Sequence, residues 1–162
     1  MKIIRQTAGI AATNSYILCS ENGGCAVVDP GDDASGLKKI INDNGWKCTA
    51  VLLTHAHFDH AGSCFEFQSM GAKIYMHAAD MQLIETDKNL APLFGKKFQR
   101  FVLDVVIDDG DEIEILNEKI TVLHTPGHTA GSVCYVVENV IFSGDTLFRL
   151  SVGRTDFPTG SM

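Results

Sequence analysis

An apolar run, Ala50-Val51-Leu52-Leu53, ends directly in Thr54-His55-Ala56-His57-Phe58-Asp59-His60-Ala61-Gly62. This junction constrains the chain more than any other stretch. Three imidazoles and a carboxylate fall within six residues, in a chain with six histidines in all. Imidazole and carboxylate are the usual ligands of zinc, iron and manganese. A near-uniformly apolar strand is one buried on both faces, which places it mid-sheet between layers of helices. In open sheets of that kind ligands gather beyond the strand ends, on loops that a rigid scaffold holds. The expectation is a metal-dependent enzyme built around the end of this strand, with the rest of the chain supplying further ligands.

Two later stretches repeat the arrangement of buried strand, flexible turn and metal-type side chain. Thr125-Pro126-Gly127-His128-Thr129 follows a strand over 119–124, and Pro126-Gly127 forces a tight turn that presents His128. Phe142-Ser143-Gly144-Asp145-Thr146 places Asp145 after another apolar strand, with Gly144 permitting close backbone approach. A lone histidine in a turn is ordinarily an exposed polar residue, and a lone aspartate a turn former or helix cap. Three coincident strand-end placements, taken with His55, His57, Asp59 and His60, favour ligands instead. His77 and His124 stay on the structural side: one ends a strand far from the cluster, and the other precedes Pro126 as a strand or supporting residue. Cys64 is read as a packed helix residue in preference to a distant ligand.

The periodicity predicts strands over 2–6, 15–19 and 25–29, the last two joined as an antiparallel hairpin at Gly23-Gly24. Leu37, Ile40 and Ile41 at helical spacing predict a helix over 34–44. A strand over 49–54, a helix over 62–70, a strand over 73–77 and a helix over 78–87 follow. Pro92 and Gly95 interrupt residues 88–103, where Phe94, Phe98 and Phe101 form an apolar face or a flap. Strands over 105–107, 112–116, 119–124, 132–137 and 140–143 complete the pattern.

At 162 residues and 45% hydrophobic content, the chain reads as a single domain over 1–162 with a sizeable core. No apolar run approaches the roughly 18 residues that span a bilayer, and no signal sequence opens the chain, so a cytoplasmic location is expected. A net charge of −7 without a basic stripe argues against nucleic acid as a partner. Five cysteines at irregular spacing, with no C-x-x-C pair, argue against a disulfide framework.

The run His55-Ala56-His57-Phe58-Asp59-His60 resembles the H-x-H-x-D-H signature of the metallo-β-lactamase superfamily. Thr125 to Thr129 and Gly144-Asp145-Thr146 resemble its next two motifs in the right order, and Val28-Asp29-Pro30-Gly31 its earlier aspartate loop. Asp145-Thr146-Leu147-Phe148 and Gly153-Arg154 are similar to the glyoxalase II (hydroxyacylglutathione hydrolase) group within it. The resemblance implies an α/β fold, an αββα four-layer sandwich with two mixed sheets face to face. It implies two divalent metal ions, zinc first and iron or manganese as alternatives. His55, His57 and His128 would hold one, Asp59 and His60 the other, with Asp145 bridging. A hydroxide between the metals would attack the carbonyl carbon of a small-molecule thioester or ester such as an S-2-hydroxyacylglutathione. Asp59 would orient the attacking oxygen, and Asp29 would hold a ligand imidazole from behind.

One family feature is missing. No histidine follows His128, although the family pattern places a further ligand of the second metal near the C-terminus. The chain is therefore expected to be C-terminally truncated, without the family's last strand and helix, and its second metal site weak or empty. Truncation would also leave an apolar face uncovered, a setting for homo-oligomerisation. Two alternatives stand beside the hydrolase. One is a mononuclear iron persulfide dioxygenase on the same scaffold; the other is a non-catalytic metal-binding domain, suggested by the missing ligand. A β-lactamase role is disfavoured by the lack of a signal peptide.

Overall fold

The computed structural model describes residues 1–162 except the side chain of Ala8. Strands β1 (Lys2–Ala8), β2 (Thr13–Cys19) and β3 (Gly24–Val28) pair antiparallel in chain order. Helix α1 (Ser35–Asp43) then returns the chain, so that β4 (Lys47–Leu52) runs parallel to β3. Parallel pairing needs such a crossover, because a tight turn can only reverse the strand. Strands β5 (Lys73–His77) and β6 (Val105–Ile107) extend the sheet in parallel, giving the order β1-β2-β3-β4-β5-β6. The second sheet is antiparallel throughout. It contains β7 (Glu112–Ile115), β8 (Glu118–His124), β9 (Val133–Val137) and β10 (Val140–Phe142), in the order β10-β9-β8-β7.

Alternation along the central strands assigns their side chains to two cores. Ile17, Val27, Val51 and Leu53 pack with the helices, while Leu18, Ala26, Val28, Ala50 and Leu52 meet Val122, Tyr135 and Phe142 of the second sheet. Val51, Leu52 and Leu53 are each 0% exposed, so β4 is buried on both faces, as its composition requires. The helix-side core includes Leu37 and Ile41 of α1. It also takes Cys64 and Phe67 of α3 (Cys64–Ser69), and Leu83 and Ile84 of α4 (Met81–Glu85). All of these helices pack on the first sheet. The outer face of the second sheet turns Leu123 and Ile141 to solvent. No helix of the chain is long and apolar enough to cross a membrane among the described residues.

Two expectations are corrected in detail. The helix expected over 62–70 is seen as the shorter α3, and an unexpected α2 (Phe58–Ala61) precedes it, so Asp59 and His60 sit on a helical turn. His57 caps that turn in extended conformation, and Gly62 ends it. A Cβ at Gly62 would lie 2.6 Å from the Phe58 carbonyl oxygen and 3.0 Å from Asp32 Cα, so only glycine fits there. Residues 88–103 form two short 3-10 turns, Asp87–Asn89 and Ala91–Phe94, followed by extended chain. Their phenylalanines divide: Phe101 enters the helix-side core, while Phe94 packs against Phe58 with ring centroids 5.0 Å apart.

The end of β4 is fastened to the opposite sheet. Tyr135 Oη donates to the Leu53 carbonyl at 2.8 Å, and Val133 N donates to the Thr54 carbonyl at 2.8 Å. Tyr135 is fully buried, and burial pushes its hydroxyl pKa well above the usual value, so it remains a donor. Tyr135→Phe keeps the ring and removes that bond. The expected cost is about 1–2 kcal/mol, read as a lower urea midpoint at unchanged slope.

Candidate metal centre

The centre forms where β3, β4 and the second sheet end together. Asp29 follows β3 in a left-handed conformation, at φ 49°. Its Oδ1 accepts from Thr54 N at 2.8 Å, and its Oδ2 accepts from Thr54 Oγ1 at 2.7 Å. The same Oδ2 faces His60 Nδ1 at 2.9 Å. Thr54 Oγ1, its own proton engaged with Asp29, lies 3.2 Å from His55 Nδ1 and can accept from it. Both imidazoles therefore have their Nδ1 sides turned to this network and their Nε2 sides turned inward. His128 is oriented in the same way from another direction, its Nδ1 donating to the Arg154 carbonyl at 2.7 Å. Outer partners of this kind fix which ring nitrogen is free to bind.

Two overlapping groups of ligand atoms result: His55, His57 and His128 in one, and His55, His60 and Asp145 in the other. His57 Nδ1 and His128 Nε2 face each other at 3.0 Å. The Asp145 carboxylate reaches both groups, with Oδ1 3.2 Å from His60 Nε2 and Oδ2 3.5 Å from His128 Nε2. Asp59 lies outside both. Its Oδ2 accepts from Thr13 Oγ1 at 3.1 Å and stands 3.6 Å from His60 Nε2. Asp29 occupies the supporting position behind His60 and also meets Thr54.

The donors suit a divalent metal. His55 Nε2, turned inward, is buried without a hydrogen-bond partner, an arrangement that costs stability unless something binds there. Burial, with neighbouring imidazoles, holds the His55 pKa well below the usual range and brings His57 down to about 3. Both are thus in the neutral form that metals bind. His60 goes the other way: burial opposes its charge, but Asp29 and Asp145 outweigh it and raise the pKa well above normal. Burial also opposes charge on Asp145, yet His60 holds its carboxyl below the usual value. In a metal-free chain, His60 and Asp145 are a charged pair that a cation would have to replace.

Some contributors are not visible in the motifs. Asp80, 0% exposed, joins the two histidine loops. Its Oδ2 accepts from Ala56 N at 3.0 Å and Thr129 Oγ1 at 2.9 Å, and its Oδ1 accepts from Gly131 N at 2.8 Å. Burial holds its pKa above the usual carboxylate value, although those three donors pull the other way. Its one sequence signal is position, just past the end of β5, as Asp29 follows β3 and Asp145 follows β10. Phe157 covers the first group, its ring 5.6 Å from His57 and 6.1 Å from His128. His77 and His124 stack together at 4.1 Å, away from both groups, and the His124 ring donates to the Ala130 carbonyl beside the His128 loop. Cys64 is fully buried in the helix-side core and belongs to neither group.

Asp80→Ala would leave three donors without their acceptor. The expected loss is about 3 kcal/mol in chemical denaturation. A weaker affinity for added zinc in calorimetric titration should accompany it, because both histidine loops lose their common anchor. Unchanged values for both would show that the loops hold themselves.

Comparison with known proteins agrees with this geometry. The model of the metallo-beta-lactamase superfamily matches residues 8–162. An uncharacterised protein of Mycobacterium tuberculosis is 40% identical over 172 residues, which span 95% of this chain and 76% of the relative. A hydroxyacylglutathione hydrolase of Salmonella paratyphi A is 37% identical over 140 residues, 86% of this chain and 49% of that enzyme. The chain thus spans about half the length of that hydrolase. Among solved structures, BLEG-1, a B3 metallo-beta-lactamase, superposes with a TM-score of 0.90 at 32% identity, covering 98% of this chain and 79% of its own. TTHA1623 in a di-iron-bound form gives 0.84 at 33% identity, covering 97% and 79%. With its two facing sheets, its divalent-metal ligand groups at the strand ends and a family match over nearly its whole length, the chain belongs to the metallo-β-lactamase superfamily.

Proposed function

We propose that this protein is a metal-dependent hydrolase of a small thioester or ester, with an S-2-hydroxyacylglutathione as the leading substrate. The observation that carries the reading is the cavity beside the second ligand group. It holds about 430 Å³ and is lined by Asp59, His60 and Asp145 together with Tyr16, Phe142 and Phe148. The ligand atoms are therefore reachable by a small molecule on that side and enclosed on the other. Similarity to hydroxyacylglutathione hydrolases supports the choice of bond, and the superfamily is hydrolytic in general.

His55, His57 and His128 would hold one ion, and His60 and Asp59 the second, with Asp145 shared between them. Zinc is the first candidate and iron the next, in line with the di-iron-bound form of TTHA1623. Bound there, divalent metal supplies a water that ionises near neutral pH and polarises a carbonyl oxygen. The chain's own residues do the rest. Asp59, held by Thr13 at the cavity side, orients the attacking oxygen and can take its proton on a carboxylate oxygen. Asp29 and Thr54 keep His60 and His55 pointed inward, and Phe157 keeps water from the buried face. Tyr16 and Phe142, in edge contact at 5.0 Å, give the acyl or thiol part of the substrate an apolar wall.

A single-iron persulfide dioxygenase is the second reading, favoured by one feature: the three-histidine group is buried and enclosed, while the other opens on the cavity. Oxygen uptake with a persulfide, at an iron content of one per chain, would select it.

S-D-lactoylglutathione should be hydrolysed faster than lactams or phosphoesters in a substrate screen. His57→Ala should reduce that turnover to background in a folded protein. Wild-type activity in the variant would remove the metal mechanism. After zinc loading and gel filtration, one ion per chain should be retained and the second readily lost. Two tightly held ions in elemental analysis would refute that asymmetry.

A further inference from the structure

The segment that carries Asp145 also carries a cation over the same cavity. After Asp145 the chain folds into a tight hairpin. Ser143 Oγ donates to the Leu147 carbonyl at 3.0 Å, Leu147 bridges to Val152, and Phe148 N donates to the Ser151 carbonyl at 2.9 Å. Arg149 and Leu150 form the tip. Gly153 then passes so close beneath that a Cβ there would lie 1.8 Å from the Asp145 carbonyl oxygen. The position of Arg149 is thus tied to that of Asp145 by a short, bonded stretch of chain.

Arg149 is the one Lys or Arg among the residues lining the cavity. Five of the other cations are engaged, Lys38 with Glu66, Lys39 with Asp43, Lys96 with Asp32, Lys119 with Glu112 and Arg154 with Asp156, and the remaining Lys and Arg do not line the cavity. Arg149 has no such partner among the described residues. Of the cavity's carboxylates, Asp29 is committed to Thr54 and His60, Asp145 to His60, and Asp59 to Thr13. Each carboxylate therefore has its donor, and the guanidinium is left for something that enters. A planar guanidinium takes a carboxylate through two parallel hydrogen bonds, more selectively than any neutral group. Leu147 and Phe148, exposed beside it and lining the same cavity, offer an apolar path between that end and the ligand atoms.

We propose that Arg149 is a specificity residue that binds a substrate carboxylate at the end remote from the scissile carbonyl. The substrate class is then a thioester or ester with a free carboxylate separated from the reacting bond by a short apolar spacer. This rests on the hydrolase reading above, and its test does not depend on turnover.

The test is calorimetric titration of the zinc-loaded protein with two hydrolysis-resistant thioethers, S-propyl-3-mercaptopropionate and its primary amide. The wild type should prefer the carboxylate by about tenfold, the discrimination a charge-assisted pair at an exposed site supplies. Arg149→Gln should bring the two affinities together, and Arg149→Lys should restore part of the preference. Equal binding of both by the wild type, or binding of neither, overturns the proposal. So does a preference that survives in Arg149→Gln, since the metal would then be holding the carboxylate. If the preference follows Arg149 but the corresponding thioesters are not hydrolysed, the hydrolase reading fails and the role of Arg149 stands.

Discussion

The arrangement of the whole centre depends on one buried carboxylate, that of Asp29. At 2% exposure, a carboxylate without donors would cost several kcal/mol, on the order of a whole domain's margin of stability. Here the backbone and hydroxyl of Thr54 and the ring of His60 meet it. The effect propagates in two directions. It reaches His60 directly, and it reaches His55 through the Thr54 hydroxyl, which gives its proton to Asp29 and so presents a lone pair to His55 Nδ1. One acid therefore sets the ring orientation of two of the four histidines. Its left-handed backbone, between a buried strand and Pro30, is the local strain that this placement requires.

The centre is held by the fold and does little to hold the fold. Four imidazoles and a carboxylate crowd together, two ring nitrogens have no partner, and desolvation keeps His55 and His57 uncharged. The compensating bonds lie just outside. Tyr135 and Val133 tie the end of β4 to the second sheet, and Asp80 ties the two histidine loops to the end of β5. A ligand that binds only the folded chain adds its own binding energy to stability. A divalent metal in these groups would do so while satisfying the orphaned His55 Nε2.

Most of the fold was legible because both sheets follow a local rule. Apolar runs of strand length alternate with turn residues, and the first crossover carries a clear helical spacing at Leu37, Ile40 and Ile41. The ligand-type residues were legible because three of them share one motif and two others repeat its position after a strand. Other features depend on contacts made far along the chain. Asp80 lies 24 residues from Ala56 and 51 from Gly131, and its neighbours in sequence give no hint of either. The helical turn that carries Asp59 and His60 depends on Gly62 meeting the Asp32 backbone. The Arg154 carbonyl that orients His128 is a backbone atom, which no side-chain pattern encodes. Phe94, Phe98 and Phe101 have the same chemistry in sequence, and only the fold separates the one that enters the core from the one that packs on Phe58.

The two ligand groups share His55 but differ in access, and that difference bears on how one scaffold serves several reactions. His55, His57 and His128 are all at most 5% exposed, and Phe157 covers His57 and His128. His60, Asp145 and Asp59 instead line an open cavity. The cavity reaches only the second side, so the enclosed histidines can remain the same while the cavity wall changes. Two of the relatives carry different names, a hydroxyacylglutathione hydrolase and a B3 metallo-beta-lactamase, at 37% and 32% identity to this chain. Chemistry at the metal does not distinguish a thioester from a lactam, since both present a carbonyl carbon. The choice must come from what surrounds it. In this chain the surroundings are the Tyr16–Phe142 edge contact and the hairpin after Asp145. If the hydrolase reading holds, residues 147–152 would carry this protein's own specificity, although the histidines are what make the family recognisable.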